Sequence, residues 1–417
     1  MELVSPAGNF EKLNYAWEYG ADAAYIGLKN FSLRTKADNF FDDEYKNIEA
    51  LKNEYKKRGL TKKLFCAINI TFHNSDLKAF FAEADYFKKY PFDAFIVQDI
   101  GIASVLKKMF PDIPLHLSTQ ANCINYEAVK VYRSLGFSRI VLGREADLND
   151  IAEIKQKVPE MQLECFAHGA MCIAYSGRCL VSAYLTNRSA NAGSCSHSCR
   201  WNYKLLSSLK ENSASFAVEE SERAGEYFPI EEGENYTAMF SSKDLCMIDH
   251  LDKLKQAGAD AIKIEGRMKS IYYTALTARS YRKQLDYLDG KITEAEAKPF
   301  VNELYNTAHR EFATGFYFSS EEANKTTAGE TKSPYMLAGT IGKKISSDEY
   351  EFISMNKINT GVELEYVGPD ICSIKDNGYI LLNPETKEKM DWVCHGHGCI
   401  IKTAQPVAEK FLVRCKV

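Results

Sequence analysis

The chain has 417 residues, of which 45% are hydrophobic and 26% charged, and its formal net charge is −4. This is an ordinary globular composition with room for two or three domains, and it removes any argument from overall basicity, although cations gathered on one face would not show in the sum. The opening MELVSPAGNF has neither the basic nor the apolar region of a secretory signal, and no run approaches 18 uninterrupted apolar residues, so a cytoplasmic protein with no membrane span is expected.

Along the first 170 residues, short apolar or β-branched runs alternate with amphipathic helical stretches, the pattern of βα units around a parallel sheet. The expected strands are ELVS, AAYIG, LFCAINI, AFIVQ, PLHLST, RIVLG and LECFA. Between them, spacings such as Phe10, Leu13, Ala16 and Trp17, or Ala128, Val129, Tyr132 and Leu135, put apolar groups on one helix face. An eighth unit follows an interruption of roughly 70 residues. In it DLCMIDHLDKLKQAG is expected as a helix that starts at Ser241 to Asp244, and ADAIKIEGR as a strand. The fold class is therefore α/β, a (β/α)8 TIM-like barrel over residues 1–330 with an insertion at 171–240. A doubly wound sheet is the alternative, but no Gly-x-Gly-x-x-Gly follows the first strand.

The insertion ends in the acidic stretch AVEESERAGEYFPIEEGENY, expected as a solvated loop and poor material for binding phosphate. The helix YYTALTARSYRKQLDYL and the segment EAEAKPFVNELYNTAHREF follow, and the pattern changes near Thr331 to Pro334. From Met336 onward AGTIGKKI, YEFISMN, GVELEYVG, ICSIKDNG, YILLN and VAEKFLVRC read as short strands separated by turns. They predict a small C-terminal all-β barrel domain over residues 335–417, which could orient a macromolecular substrate or simply pack.

Four of the twelve cysteines lie within 28 residues, as Cys172-x(6)-Cys179 and Cys195-x(3)-Cys199. In a cytosolic setting such a group points to a metal rather than to disulfides. Spacing leaves an iron-sulfur cluster, a structural zinc and unligated thiols open, the gaps being looser than the Cys-x(2)-Cys knuckles of zinc. A second group, Cys394, His395, His397 and Cys399, reads first as a Gly-rich turn.

In a (β/α)8 barrel the chemistry sits at the carboxyl ends of the strands. Those ends carry Ser5, Lys29, Asn30, Asn69, Gln98, Asp99, Ser118, Thr119, Gln120, Arg144, Glu145, His168, Glu265 and Arg267, with Arg34 close behind the second strand. Arg267, Glu265 and His168 are the catalytic candidates, and Arg34, Asn69, Gln120 and Arg144 the substrate-binding ones. Arginines form bidentate pairs with carboxylates, so Arg34, Arg144 and Arg267 suit a small di-acid. Hydrolytic chemistry finds little support, since neither Gly-x-Ser-x-Gly nor His-Glu-x-x-His occurs. Beside the cysteines, Arg200, Trp201, Tyr203 and Lys204 combine cations with aromatic faces that could stack on an extruded base or pack the insertion.

The segment ECFAHGAMCIAYSGRCLVSAYLTNR, with CSHSCRWNY, SSKDLCMIDHL, IKIEGRMKS, ELVSPAGN and ADAAYIGLKNFSLR, resembles peptidase family U32, the collagenase-like proteins, over most of the chain. Within that family it is most similar to the branch that hydroxylates tRNA, converting a wobble uridine to 5-hydroxyuridine with prephenate as hydroxyl source and without molecular oxygen. The resemblance implies a 4Fe-4S cluster on Cys172, Cys179, Cys195 and Cys199, prephenate as co-substrate on Arg34, Arg144 or Arg267, and tRNA as partner. Some quinone-pathway relatives use a cysteine further downstream, which makes Cys246 a reserve ligand; its other reading is a small apolar residue in the first turn of a helix. A protein partner or homo-oligomer stays open. Two other functions stay open as well: a U32-type peptidase, and a zinc-stabilised RNA-binding scaffold without turnover.

Overall fold

The computed structural model describes residues 1–33, 38–172, 174–186, 188–200, 216–219, 227–232, 237–238, 242–319 and 333–417. Arg34, Trp201, Tyr203, Lys204, Ser241 and Thr331 lie outside the described residues.

Seven parallel strands follow one another as β1 (Glu2–Pro6), β2 (Ala23–Ile26), β3 (Lys63–Ile68), β4 (Ala94–Val97), β5 (Leu115–Leu117), β6 (Phe137–Val141) and β7 (Gln162–Ala170). Between them run α1 (Phe10–Glu18), α2 (Glu44–Lys57), α3 (Asn74–Phe87), α4 (Ile100–Met109), α5 (Tyr126–Ser134) and α6 (Leu148–Lys157). Local chemistry starts these helices: the Asp99 carboxylate accepts the Gly101 and Ile102 amides at 2.8 and 3.0 Å, and Asp147 and Asp150 form a reciprocal capping box. After β7 come α7 (Val181–Thr186) and three short antiparallel strands, β8 (Phe216–Glu219), β9 (Tyr227–Glu232) and β10 (Thr237–Ala238). The acidic stretch expected as a loop thus contributes strands.

Next come β11 (Asp244–Cys246), α8 (Leu251–Gln256), β12 (Ala261–Ile264), α9 (Ile271–Leu288), α10 (Glu294–Asn302) and β13 (Phe312–Ala313). β12 pairs in parallel with both β7 and β1 and closes an eight-stranded barrel, the predicted (β/α)8 fold. β2, β4 and β12 are buried at every position, as strands covered on both faces must be. Asp244–Cys246 does not begin a helix; it is a strand antiparallel to β7, with Asp244 opposite Ala170 and Cys246 opposite His168, and the α-helix begins at Leu251. The reason lies in β7, which runs nine residues and offers its last three as an edge for pairing.

Charges fill the lower barrel where apolar side chains are usual. Glu164, wholly buried, binds Lys263 Nζ at 2.7 Å and Arg139 Nη1 at 3.0 Å, and Arg139 Nη2 reaches Glu2 at 2.5 Å. Burial alone would raise the Glu164 pKa, but the two cations outweigh it and hold the carboxyl below its ordinary range. His116, buried beside Arg139, is pushed down to about 3, chiefly by desolvation.

The chain divides into two compact units, the first made of Met1–Asn14, Ala21–Lys269 and Arg310–Thr331, the second of Tyr15–Gly20, Ser270–His309 and Lys332–Val417. In the second, β14 (Tyr335–Lys344), β15 (Glu349–Ser354), β17 (Leu364–Val367), β18 (Ile374–Asp376), β19 (Ile380–Leu382), β21 (Gly398–Lys402) and β22 (Leu412–Lys416) form an antiparallel half-barrel in the order β18-β17-β22-β14-β15-β21-β19. A separate ribbon pairs β16 (Ile358–Asn359) with β20 (Trp392–Val393). Ile341, Phe352, Tyr366, Leu381, Ile401 and Val413 share the core. Arg414 anchors it, donating to Glu365 Oε2 from Nε and Nη2 at 2.9 and 2.7 Å and to Glu303 and the Tyr272 hydroxyl. Within the Cys394 to Cys399 group, Cys394 Sγ lies 3.1 Å from His397 Nδ1, whereas Cys399 belongs to the core. Among the described residues no helix is long and apolar enough to cross a membrane.

Candidate active site at the barrel mouth

The carboxyl ends of the strands bring the predicted polar residues together in small linked sets. After β12, the Glu265 amide donates to the His168 carbonyl at 2.9 Å, and the Tyr25 hydroxyl lies 3.2 Å from Glu265 Oε2. His168 is buried on β7 with Phe312 against its ring, and Cys246 faces it across the β11 pairing. Lys263 sits 4.4 Å from the centroid of the Tyr25 ring, so the charged lower barrel touches the residue that orients Glu265.

Arg267 is buried, and its Nη1 and Nη2 donate to Ser32 Oγ at 3.2 and 3.3 Å. Gly27 makes room for it, because a Cβ there would lie 2.0 Å from Arg267 Nη1. Nearby, Asn69 Oδ1 accepts the Leu33 amide at 3.1 Å while its Nδ2 donates to Ser118 Oγ at 3.4 Å, and Ser118 Oγ also accepts the Gln120 amide.

Arg144 follows β6 with its guanidinium 4.2 Å from the Phe166 ring centroid and Nη1 on the Ala170 carbonyl at 3.1 Å. Its Nε is buried and has no hydrogen-bond partner among the described residues. A buried donor left unmatched costs about 1–3 kcal/mol.

The cysteine segment is laced across these ends. The Ser176 amide donates to Glu145 Oε1 at 2.7 Å, the Arg144 amide to Ser176 Oγ at 3.3 Å, and the Thr71 amide to the Asn191 carbonyl at 2.8 Å. Gly177 has a φ of +73°, and a Cβ on it would lie 2.0 Å from the Gln120 carbonyl oxygen, so only glycine fits this contact. Cys172 is exposed, Cys179, Cys195 and Cys199 are partly so, and none of the four is joined in a disulfide. Cys195 Sγ accepts the His197 amide at 3.4 Å, and the Cys179 carbonyl accepts Asn191 Nδ2 at 3.3 Å. Among the described residues no three His, Cys, Asp or Glu side chains converge into a metal-holding group. In donor chemistry the four thiols fit a soft metal or an iron-sulfur cluster.

A cleft at the opposite end, of about 400 Å³, is lined by Glu2, Lys63, Arg139 and Asp260 among others. Its charges are already spent on one another, with Lys63 on Glu2 at 2.8 Å and Lys155 on Asp260 at 2.8 Å. That cleft lies at the end of a (β/α)8 barrel whose residues serve stability, which leaves the mouth as the candidate site.

The sequence reading placed Glu145 at a strand end but missed Tyr25, Ser32 and the anchor Ser176. It also passed over Glu164 and Lys263, although a charge inside an apolar strand such as LECFA or AIKIE signals a buried partner.

Residues 8–327 match the profile of Peptidase family U32. The tRNA hydroxylation protein P of Escherichia coli (strain K12) is 34% identical over 401 residues, covering 88% of this chain and 86% of that protein. Its namesake in Haemophilus influenzae (strain KW20) is 37% identical over 405 residues, with 88% and 86% covered. The 23S rRNA 5-hydroxycytidine C2501 synthase of Escherichia coli (strain K12) is 32% identical over 360 residues, 84% of this chain and 50% of that one. The chain belongs to peptidase family U32.

Proposed function

We propose that this protein is a cytoplasmic RNA-modifying enzyme that hydroxylates the wobble uridine of tRNA to 5-hydroxyuridine, without molecular oxygen and with prephenate as hydroxyl source. The observation that carries this reading is identity of 34% and 37%, along 88% of the chain, to two proteins named for tRNA hydroxylation. The kinship with an rRNA hydroxycytidine synthase supports the broader class, hydroxylation of RNA pyrimidines.

The residues at the mouth suit the parts this chemistry requires. Arg144, with its unmatched Nε, and Arg267, held by Ser32, offer guanidinium groups to the two carboxylates of prephenate. Asn69 and Gln120, linked to each other through Ser118, would bind the remaining polar groups. Glu265, with the Tyr25 hydroxyl on one oxygen, is placed to hold or release a proton, and His168 lies next to it. Cys172, Cys179, Cys195 and Cys199 would hold a 4Fe-4S cluster, which supplies one-electron redox chemistry when bound.

The test is metal, sulfide and nucleoside analysis of anaerobically purified protein. About four irons and four sulfides per chain are expected, lost when any one of the four cysteines is changed to Ser, together with 5-hydroxyuridine in tRNA only when prephenate is added. Stoichiometric zinc without product would replace this reading by the scaffold. Cleavage of denatured collagen that depends on the same cysteines would replace it by the peptidase.

A further inference from the structure

From Cys165 to Lys210 the sequence contains no Asp or Glu but five cations, Arg178, Arg188, Arg200, Lys204 and Lys210, in a chain whose formal net charge is −4. The described part of this stretch is the segment laced over the barrel mouth, and it exposes large apolar side chains. Tyr184 is 88% exposed, Leu180 71% and Tyr175 61%. Arg178 is exposed among them and Arg188 is half-buried.

The display is built on a fixed base. Ser182 of α7 is buried, its Oγ donates to the Arg188 carbonyl at 2.6 Å, and it accepts the Ser196 amide at 2.9 Å. Tyr184 lies two residues further on, about 200° round the helix, so it points away from that knot and outward. Exposed aromatic rings beside cations, in a stretch that itself carries no carboxylate and has Glu145 engaged by the Ser176 amide beneath it, are the ingredients of a surface for single-stranded nucleic acid. A docking face for another protein would need the same apolar groups without such one-sided charge.

We propose that Tyr175, Arg178, Tyr184 and Arg188 form the surface that receives a single-stranded loop of the RNA substrate, the tyrosine rings stacking on bases and the arginines holding phosphates. This rests on the reading of the protein as an RNA-modifying enzyme, and it assigns presentation of the RNA to the same segment that carries the four cysteines.

The experiment is equilibrium binding of the full chain to a labelled, unmodified tRNA anticodon stem-loop across a salt series, with hydroxylation measured separately. Tyr184→Ala should weaken binding about tenfold, while Tyr184→Phe, which keeps the ring, should bind like the unaltered chain. Arg178→Ala with Arg188→Ala should flatten the slope of log K against log salt by about 1.4, two single-strand phosphate contacts. Thermal melts should be unchanged in all of them. If Tyr184→Ala and the double arginine variant bind as the unaltered chain does at every salt, the surface is elsewhere and the proposed function stands on its own evidence. If they bind RNA normally but lose self-association, the face is a protein contact and the proposal is overturned. If the unaltered chain neither binds RNA nor hydroxylates it, the proposed function falls and takes this inference with it.

Discussion

At the amino-terminal end of the barrel, Glu2, Arg139, Glu164 and Lys263 answer one another in a chain of ion pairs between 2.5 and 3.0 Å. At the carboxyl-terminal end, Arg144 keeps a buried Nε with no hydrogen-bond partner among the described residues, although it is just as much part of the barrel. Charges matched within the chain hold the fold, and removing one strands its partner in a low-dielectric interior. A donor left unmatched at the mouth costs stability instead.

The contrast can be broken at either end, and the largest effect belongs to the lower barrel. Glu164→Ala leaves Arg139 and Lys263 uncompensated and should cost about 3–5 kcal/mol in denaturant unfolding. A loss below about 1 kcal/mol would show that the network is solvated and holds nothing. At the mouth, Arg144→Ala should lower kcat/KM for prephenate-dependent turnover by a factor of about 30–100, equal to about 2–3 kcal/mol. The same variant should change unfolding stability by less than about 1 kcal/mol, since the lost Ala170 hydrogen bond and Phe166 contact are offset by removal of the unmatched buried Nε. Equal losses of stability and turnover would erase the distinction between the two ends.

Gly27→Ala tests how tightly Arg267 is seated, because the new Cβ would collide with the guanidinium. It should cost about 1–3 kcal/mol and displace Arg267 from Ser32, read as a rise in KM for the di-acid. Unchanged KM would mean that Arg267 is not a binding group.

The smallest effect is a slope. His116 has a folded pKa near 3, below its ordinary value, so the unfolded chain binds the extra proton first as pH falls. The stability this neutral imidazole contributes is complete above about pH 6.5 and is lost as pH falls through the window down to about 3, at up to about 1.4 kcal/mol per pH unit. His116→Gln should flatten that slope in melts run between pH 6.5 and 5. An unaltered slope would assign it to other groups.

The eight barrel strands were legible because each is a nearly unbroken apolar run, the mark of a strand buried on both faces. Asp244–Cys246 was not, because its state is set by the free edge of β7, some 70 residues earlier, while its local spacing favours a helix. β8 to β10 escaped for the same reason, since acidic residues pair there only across the strands. At the site, position alone located Asn69, Gln120, Arg144, His168, Glu265 and Arg267 at strand ends. Their supports, Tyr25 of β2 behind Glu265 and Ser32 of the loop after β2 behind Arg267, come from elsewhere in the chain and no local pattern announces them.

The pairing of β12 with both β1 and β7 bears on the order in which the molecule assembles. Until Ala261–Ile264 leave the ribosome, the first seven strands are an open sheet with two unsatisfied edges, a long-range closure of the kind that folds slowly and invites association with other chains. Arg267 follows that last strand by three residues, so the step that removes the exposed edges also delivers the guanidinium to Ser32. Chains that stall before closure therefore lack the Arg267–Ser32 contact, and the candidate site is completed together with protection from aggregation.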